Sequence, residues 1–143
     1  MLISSRSRYG LKMMYELALK YGQRPVFLGD IAAAHHISEK YLSKLATALR
    51  SAGLVSSFRG ARGGYALARA PRAITLREIV EALDGDIAAT QGRSHTNGGG
   101  AAMEHPTERV WRLLERTVNE TLEAVSLDSI VLSGRENVPN YEI

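Results

Sequence analysis

The chain has 143 residues, is 45% hydrophobic and contains no cysteine. This length fits one domain with an appendage better than two full domains, and the lack of cysteine excludes a disulfide framework, a cysteine nucleophile and a thiolate metal site. The opening sequence MLISSRSRYG lacks the apolar stretch of a signal peptide, and no apolar run reaches the ~18 residues that a membrane span requires. We therefore expect a cytoplasmic protein with no membrane partner.

Charge divides the chain into a basic half and an acidic half. Residues 1–72 hold 12 Lys and Arg against 3 Asp and Glu, a net charge of +9. Residues 73–143 hold 6 Arg against 12 Asp and Glu, a net charge of −6. This division indicates a module that binds a polyanion, joined to a part with another role. The alternative is a chance asymmetry on two solvated surfaces.

The basic half carries the apolar periodicity of three helices. Apolar residues at i, i+3, i+4 and i+7 predict a first helix over Arg8–Tyr21, which ends before Pro25. A shorter second helix is expected to begin near Gly29, and Ser38 is a good N-cap for a third. Two helices joined by a short turn predict a helix-turn-helix. The apolar positions that define the second and third helices are Leu28, Ile31 and Ala32, then Leu42, Leu45 and Leu49.

A hairpin rich in glycine and arginine follows the third helix directly. Residues 55–58 and 65–67 alternate as short strands around Gly60, Gly63 and Gly64, which allow the positive φ of a tight turn. A helix-turn-helix followed by an arginine-tipped hairpin is the winged-helix arrangement. We expect the glycines to let the backbone approach DNA closely, with their N–H groups free for phosphate.

The acidic half is predicted to contain a long helix of its own. Thr75 caps a helix over about residues 76–83, and residues 85–104 then contain five glycines, which indicates a mobile loop. Pro106 suits the first turn of the next helix, whose apolar stripe repeats for more than four turns. A small winged helix has little core left to cover that stripe, so we expect it to meet the same helix of a second chain; the alternative is packing within its own chain. The expected dimerisation residues are Val110, Trp111, Leu114, Val118 and Leu122.

Contacts with DNA can be assigned from the position of each residue in this arrangement. The first residues of a recognition helix lie at base edges in the major groove, where serine, glutamate and lysine can read bases. Glu39 alternatively acts as a favourable charge at a helix N-terminus, and Tyr41 alternatively belongs to the core. Arginine at a wing tip suits the narrow minor groove, where negative potential is concentrated. The predicted DNA-binding residues are Ser38, Glu39, Lys40, Tyr41, Ser43, Lys44, Arg59, Gly60 and Arg62, with Ser5 and Arg8 at the start of the first helix.

The segments SRSRYGLKMMYELA, ISEKYLSKLATALRSAGLVSSFRGARGGYALARAP and ITLREIVEALDGD together resemble the IscR-type family of bacterial winged-helix regulators, the iron–sulfur cluster regulators. The resemblance implies a mainly α fold with a small β-hairpin, in a homodimeric transcription regulator that binds a roughly palindromic promoter site in double-stranded DNA. The expected organisation is a winged helix-turn-helix over 1–84, a loop over 85–104, a dimerisation helix and a short following helix over 105–132, and a loosely ordered tail over 133–143.

Many members of that family hold a [2Fe–2S] cluster on three loop cysteines and a fourth ligand at the start of the dimerisation helix. In this chain the last cysteine position corresponds to His105 and the fourth-ligand position to Glu108. Because thiolates hold such clusters, no cluster cofactor is expected here. Three explanations stay open: natural loss of the cluster, replacement of cysteines by design at Ser94, Ala101 or Ala102, or an oxygen–nitrogen metal site drawn from His95, Glu104, His105 and Glu108.

A protein-interaction module and an enzyme are the two functional classes that compete with DNA binding for this sequence. A winged helix that serves only as a protein-interaction module would bind DNA weakly and without steep salt dependence. The +9 half argues against that class. An enzyme is not expected, because the sequence shows no Ser-His-Asp constellation, no phosphate-binding loop and no metal motif.

Overall fold

The computed structural model describes residues 3–87 and 105–136, and these form a mainly helical fold with one small β-hairpin. This confirms the predicted fold class. The hairpin is antiparallel and pairs Val55 with Leu67 and Phe58 with Gly64. A 3₁₀ turn at Pro71–Ala73 leads from the hairpin to the next helix. The elements are α1 (Ser5–Leu19), α2 (Leu28–His35), α3 (Glu39–Ser51), β1 (Val55–Phe58), β2 (Gly64–Leu67), α4 (Leu76–Asp84), α5 (Pro106–Ala124) and α6 (Leu127–Glu136).

Several boundaries differ from those expected from the sequence. Helix α1 begins at Ser5 because the Ser4 hydroxyl caps it, accepting a hydrogen bond from the Ser7 N–H at 3.2 Å. Helix α6 continues to Glu136, so the prediction of a loose tail from residue 133 was wrong for 133–136. Gly134 lets α6 lie close to α1, since a Cβ there would be 2.7 Å from the Tyr15 hydroxyl. The tail beyond 136 and the predicted loop over 88–104 lie outside the described residues.

The main core lies between α1, α3, α4 and α6. The apolar faces of these helices repeat at helical spacing, which allows each helix to bury one side against the others. Helix α1 crosses α4 closely at Gly10, where a Cβ would meet the Leu83 side chain at 2.1 Å. The largest fully buried side chains are Met13, Met14, Leu17, Ile31, Leu42, Leu49, Leu54, Ile74, Ile79 and Leu127.

A second, smaller core joins α5 to α4. Leu122 of α5 is 3% exposed and packs with Val80 and Ile87, and Val118 packs against the same cluster. Leu122 was expected at a dimer interface, and the structure instead buries it within its own chain. Ile87 was assigned to the loop, and it belongs to this core as well. The alternative of packing within the chain therefore holds for the C-terminal part of α5.

The hairpin is anchored to the helices by a short backbone bridge. Val26, between α1 and α2, exchanges two backbone hydrogen bonds of 2.8 Å with Tyr65 of β2. Gly64 permits this approach, because its φ is +144° and a Cβ there would lie 2.5 Å from the Val26 carbonyl oxygen. Glycine at this position is therefore required by the fold of the wing.

We predict that Gly64→Ala destabilises the protein by at least ~2 kcal/mol, because it adds a backbone clash to an unfavourable φ. Gly60→Ala in the same hairpin is the matched control. Gly60 also has a positive φ, +98°, but nothing lies within 4 Å of its Cβ position. This control is expected to cost roughly 1 kcal/mol. Urea unfolding followed by circular dichroism measures both variants, and equal losses would show that the approach of Val26 does not limit the wing.

The N-terminus of α4 is closed by a reciprocal capping box. The Thr75 hydroxyl accepts from the Glu78 N–H at 3.2 Å, and the Glu78 carboxylate accepts from the Thr75 N–H at 2.9 Å. Arg69 also donates to Glu78 at 2.9 Å. Burial alone raises the pKa of Glu78, but the Thr75 N–H and the Arg69 charge outweigh it and lower the pKa below its ordinary value.

We predict that Glu78→Gln lowers the free energy of unfolding at pH 7 and that this loss disappears in acid. A folded-state pKa below the unfolded value gives stability that is present above the unfolded pKa of about 4.3 and is lost as pH falls through the folded pKa. The loss at pH 7 should stay under about 1 kcal/mol, because the side chain is 38% exposed. Unfolding curves between pH 3 and 7 measure it, with Glu120→Gln on exposed α5 as the control. A difference independent of pH would contradict the assignment.

Candidate nucleic-acid interface

Helices α2 and α3 form the predicted helix-turn-helix. Helix α2 ends at His35, and His36 after it adopts the left-handed conformation with φ +53° and turns the chain toward α3. Ser38 then caps α3, its hydroxyl accepting from the Tyr41 N–H at 3.3 Å. The inner side of α3 is buried through Leu42, Leu45, Ala46 and Leu49. The residues left exposed at its start are Ser38, Glu39, Lys40, Ser43 and Lys44.

Two of the predicted contact residues have structural surroundings of their own. The Glu39 carboxylate lies 3.5 Å from the position of a Cβ on Gly29, in the first turn of α2. Glu39 also lies in the first turn of α3, where a carboxylate is stabilising, so both interpretations of this residue stay open. Tyr41 is half-buried and meets the Tyr9 ring edge-to-face at 5.9 Å between centroids. Its ring therefore links α3 to α1.

The structure places two further basic residues, Lys12 and Arg50, beside this surface, and neither was predicted from the sequence. The Lys12 ammonium lies 5.7 Å from the Tyr9 ring centroid, so α1 carries an exposed cation next to the start of α3. Arg50 donates from Nη1 to the Ser57 hydroxyl at 3.0 Å and so braces the end of α3 against β1. Helical spacing from Arg8 to Lys12 was a signal for the first of these, whereas the Arg50 contact has no signature in the sequence.

The wing presents its arginines on an exposed turn. Arg59, Gly60, Ala61 and Arg62 are all exposed. The Gly63 N–H donates to the Gly60 carbonyl at 2.9 Å and closes the turn. The expectation that the wing glycines keep their N–H groups free for phosphate was therefore wrong for Gly63. A Cβ on Gly63 would lie 2.4 Å from the Phe58 carbonyl, so this glycine is needed for the turn itself.

The first turn of α1 adds to the basic surface. Ser5 and Arg8 are exposed, as predicted, while Ser7 between them is buried. Exposed cations therefore occur on α1, α3 and the wing, three elements that the Tyr9–Tyr41 contact, the Arg50–Ser57 bond and the shared core hold together. The exposed basic residues of these elements include Arg8, Lys12, Lys40, Lys44, Arg50, Arg59 and Arg62.

Helix α5 exposes large apolar side chains over its first half. Val110, Trp111, Leu113 and Leu114 are between 49% and 61% exposed. A cavity of about 800 Å³ opens beside them, between α5, α4 and the start of α1. Trp111 and Leu114 line it together with Leu76 and Val80, so its walls are mainly apolar.

The weak metal candidates do not form a site among the residues in view. His105 uses Nδ1 in contacts with Thr107, 2.7 Å from its hydroxyl and 3.3 Å from its N–H, and so caps α5. Glu108 is exposed in the first turn of the same helix. Across residues 3–87 and 105–136, no three histidine or acidic side chains converge as a metal would require. His95 and Glu104 lie outside the described residues.

Among the helices of residues 3–87 and 105–136, none is both long enough and apolar enough to cross a bilayer.

Similarity to known proteins covers most of the chain. The family model described as Rrf2, iron-dependent transcriptional regulator, matches residues 3–133. The HTH-type transcriptional regulator CymR of Bacillus subtilis is 40% identical over 131 residues, which cover 91% of this chain and 89% of that protein. The HTH-type transcriptional regulator IscR of Xenorhabdus nematophila is 37% identical over 133 residues, which cover 92% of this chain and 79% of that protein.

Solved structures agree with the sequence comparison. The structure titled CymR, the global cysteine regulator of B. subtilis, superposes with a TM-score of 0.78 at 38% identity, over 93% of this chain and 98% of that one. The T. potens IscR structure superposes with a TM-score of 0.76 at 33% identity, over 96% and 91%. These matches confirm the resemblance and the winged-helix class inferred from the residues. The chain therefore belongs to the Rrf2 family and is a DNA-binding transcription regulator, not an enzyme.

Proposed function

We propose that this regulator acts as a homodimer on a two-fold-symmetric DNA site, with α3 in the major groove and the wing against the adjacent minor groove. The observation that carries the proposal is the exposed polar start of α3 beside an exposed arginine turn, with Arg50 bracing the two. Ser43, Lys40 and Lys44 suit base edges and phosphates. Each protomer would read one half-site, so the half-sites would lie one helical turn, or a multiple of it, apart.

The two arginines of the wing have different neighbours but the same chemistry. A narrow minor groove concentrates negative potential and so attracts the charged side chain of arginine. Arg59 directly follows β1, whose backbone pairing with β2 limits its motion. Arg62 lies on the other side of the turn, next to Gly63. We assign Arg59 to the groove and Arg62 to the groove or the flanking phosphates.

Dimerisation is supported by the exposed first half of α5. Val110, Trp111, Leu113 and Leu114 form a patch of large apolar groups of the kind that usually marks an interface. The adjacent apolar cavity can receive side chains from a second copy. Leu122 is buried within the chain, and Val118 is partly buried against the same cluster. The proposed interface is therefore centred on the N-terminal half of α5. A two-fold dimer would match a two-fold DNA site.

Regulation in this chain is proposed to use something other than a cysteine-held cluster. The family model that matches is described as iron-dependent, and the family cluster is held by thiolates. This chain has no cysteine at all. His105, at the last cysteine position, uses Nδ1 to accept from the Thr107 N–H and so caps α5. The residues present do not fit a conventional [2Fe–2S] cluster. DNA binding would then require no cluster.

The test is selection of bound sites from random duplex DNA by the purified protein, followed by titration against salt. We expect a two-fold-symmetric site to be enriched and log Kd to depend steeply on log salt, because phosphate contacts release counterions. Arg59→Ala should weaken binding to the selected site by about 1–3 kcal/mol if this side chain reads the groove.

Arg72→Ala is the control for that substitution, since Arg72 is also exposed but lies in the 3₁₀ turn after the wing. It should leave affinity nearly unchanged. Unchanged affinity of Arg59→Ala would remove Arg59 from the interface. Weak binding by the parent protein with no salt dependence would favour the protein-interaction module.

We predict that Leu114→Asp converts the dimer to a monomer, because a charge on the exposed apolar patch of α5 cannot be buried without a partner. Light scattering after size exclusion measures the mass. Leu132→Asp on α6 is the matched control, since Leu132 is 48% exposed and Leu114 is 49% exposed. The control should keep the parent mass. A dimer that survives Leu114→Asp would move the interface away from this patch.

A further inference from the structure

Three residues at the start of α1 converge on one carboxylate at the end of α4. The Ser7 hydroxyl donates to Asp84 Oδ2 at 2.6 Å, and the Ser4 hydroxyl donates to Asp84 Oδ1. Arg6 adds a charge, with its Nε 3.7 Å from Oδ1. The Asp84 side chain is 19% exposed and Ser7 is 2% exposed, so much of this cluster is removed from water.

The chemistry of the cluster favours an ionised Asp84. Burial raises the pKa of this carboxyl, but the Ser4 and Ser7 hydroxyls, the Ser4 backbone and the Arg6 charge outweigh burial and lower the pKa below its ordinary value. Ser4 is also the N-cap of α1, so the carboxylate lies where the helix dipole is positive. At neutral pH the ionised carboxylate can therefore accept hydrogen bonds from both hydroxyls.

This cluster determines which way the first turn of α1 faces. With Ser4 and Ser7 held against α4, the neighbouring Ser5 and Arg8 are left exposed. Close packing extends the constraint along the helix, because Gly10 brings α1 against Leu83, the residue before Asp84. On another side of α1, Tyr9 packs edge-to-face on Tyr41 near the start of α3, and Lys12 lies beside the Tyr9 ring. Rotation or displacement of the first turn would move Arg8 relative to α3.

We propose that Asp84 is a positioning residue for DNA binding, which holds the first turn of α1 so that Arg8 and Ser5 reach a phosphate alongside the recognition helix. The proposal rests on the proposed DNA surface and adds to it a residue that touches no DNA. Asp84 lies in the acidic half, on the helix that also borders the cavity beside α5. A side chain outside the basic half would thus act on contacts made by that half.

The test is a double-mutant cycle on DNA affinity with Asp84→Asn and Arg8→Ala, using the full-length protein and its selected site. Asparagine keeps the size but loses the charge and one of the two acceptors. We expect Asp84→Asn alone to weaken binding about tenfold. The slope of log Kd against log salt should fall by the amount expected for about one phosphate contact, as it would on direct loss of a cationic side chain that contacts phosphate. In the Arg8→Ala background the same change should cost less than about twofold, because the contact is already lost.

Glu81→Gln is the matched control, since Glu81 is on the same helix and its carboxylate accepts from Arg77 at 2.9 Å. It should leave affinity and salt slope unchanged. Equal losses from Asp84→Asn in both backgrounds, or an unchanged salt slope, would overturn the proposal and leave Asp84 a purely structural residue. Failure of the parent protein to show salt-dependent binding would instead overturn the proposed function, so the two failures are distinguishable.

Thermal unfolding of each variant shows whether it is folded at the assay temperature. If Asp84→Asn is not, Ser7→Ala takes its place in the cycle, because it removes one hydrogen bond and keeps the carboxylate. Coupling to Arg8→Ala should then be smaller, about threefold in affinity, with the same sign. Strict additivity of Ser7→Ala and Arg8→Ala would overturn the proposal.

Discussion

The burial of one side of α3 is the constraint on which the DNA-facing surface depends. Leu42, Leu45 and Leu49 are almost fully enclosed by α1, α4 and the hairpin, and this leaves the opposite side of the same turns to polar and charged residues. Because a helix has one rotation about its axis, the core also decides which side chains can meet DNA. The Ser38 cap and the Arg50–Ser57 bond then set where the helix begins and how the wing stands beside it.

Several polar residues of the proposed DNA-binding surface also stabilise the fold. The Ser38 hydroxyl caps α3, the Glu39 carboxylate lies near the first turn of α2, and Tyr41 packs on Tyr9. Such residues hold the recognition helix in position before DNA is present, which lowers the entropic cost of binding. Lys40, Ser43 and Lys44 are exposed, and no hydrogen bond of their side chains to the protein is seen among the described residues, so in the proposed complex they are the ones free to meet DNA.

Helix α5 divides its apolar residues between two environments. Near its C-terminus, Leu122 completes a small core with Val80 and Ile87, and so ties α5 to α4 of its own chain. Near its N-terminus, Trp111 and its neighbours remain in solvent beside an apolar cavity. One helix can thus be anchored at one end and present an interface at the other. Through α4 this interface is connected to Asp84 and hence to the first turn of α1.

The sequence by itself determined the helix-turn-helix, the arginine-tipped wing, the Thr75 cap and the long helix that begins at Pro106. Each of these follows from spacing within a few turns of chain, where helical periodicity, caps and glycine conformations act locally. Only the tertiary structure decided that Leu122 is internal, that Gly64 lies against the Val26 backbone, and that Asp84 holds Ser4 and Ser7. These facts depend on residues distant in sequence, such as Ser7 and Asp84, which are 77 positions apart. The periodicity of a sequence indicates whether a residue faces the core or solvent, but only the packing of the elements determines which residue it contacts.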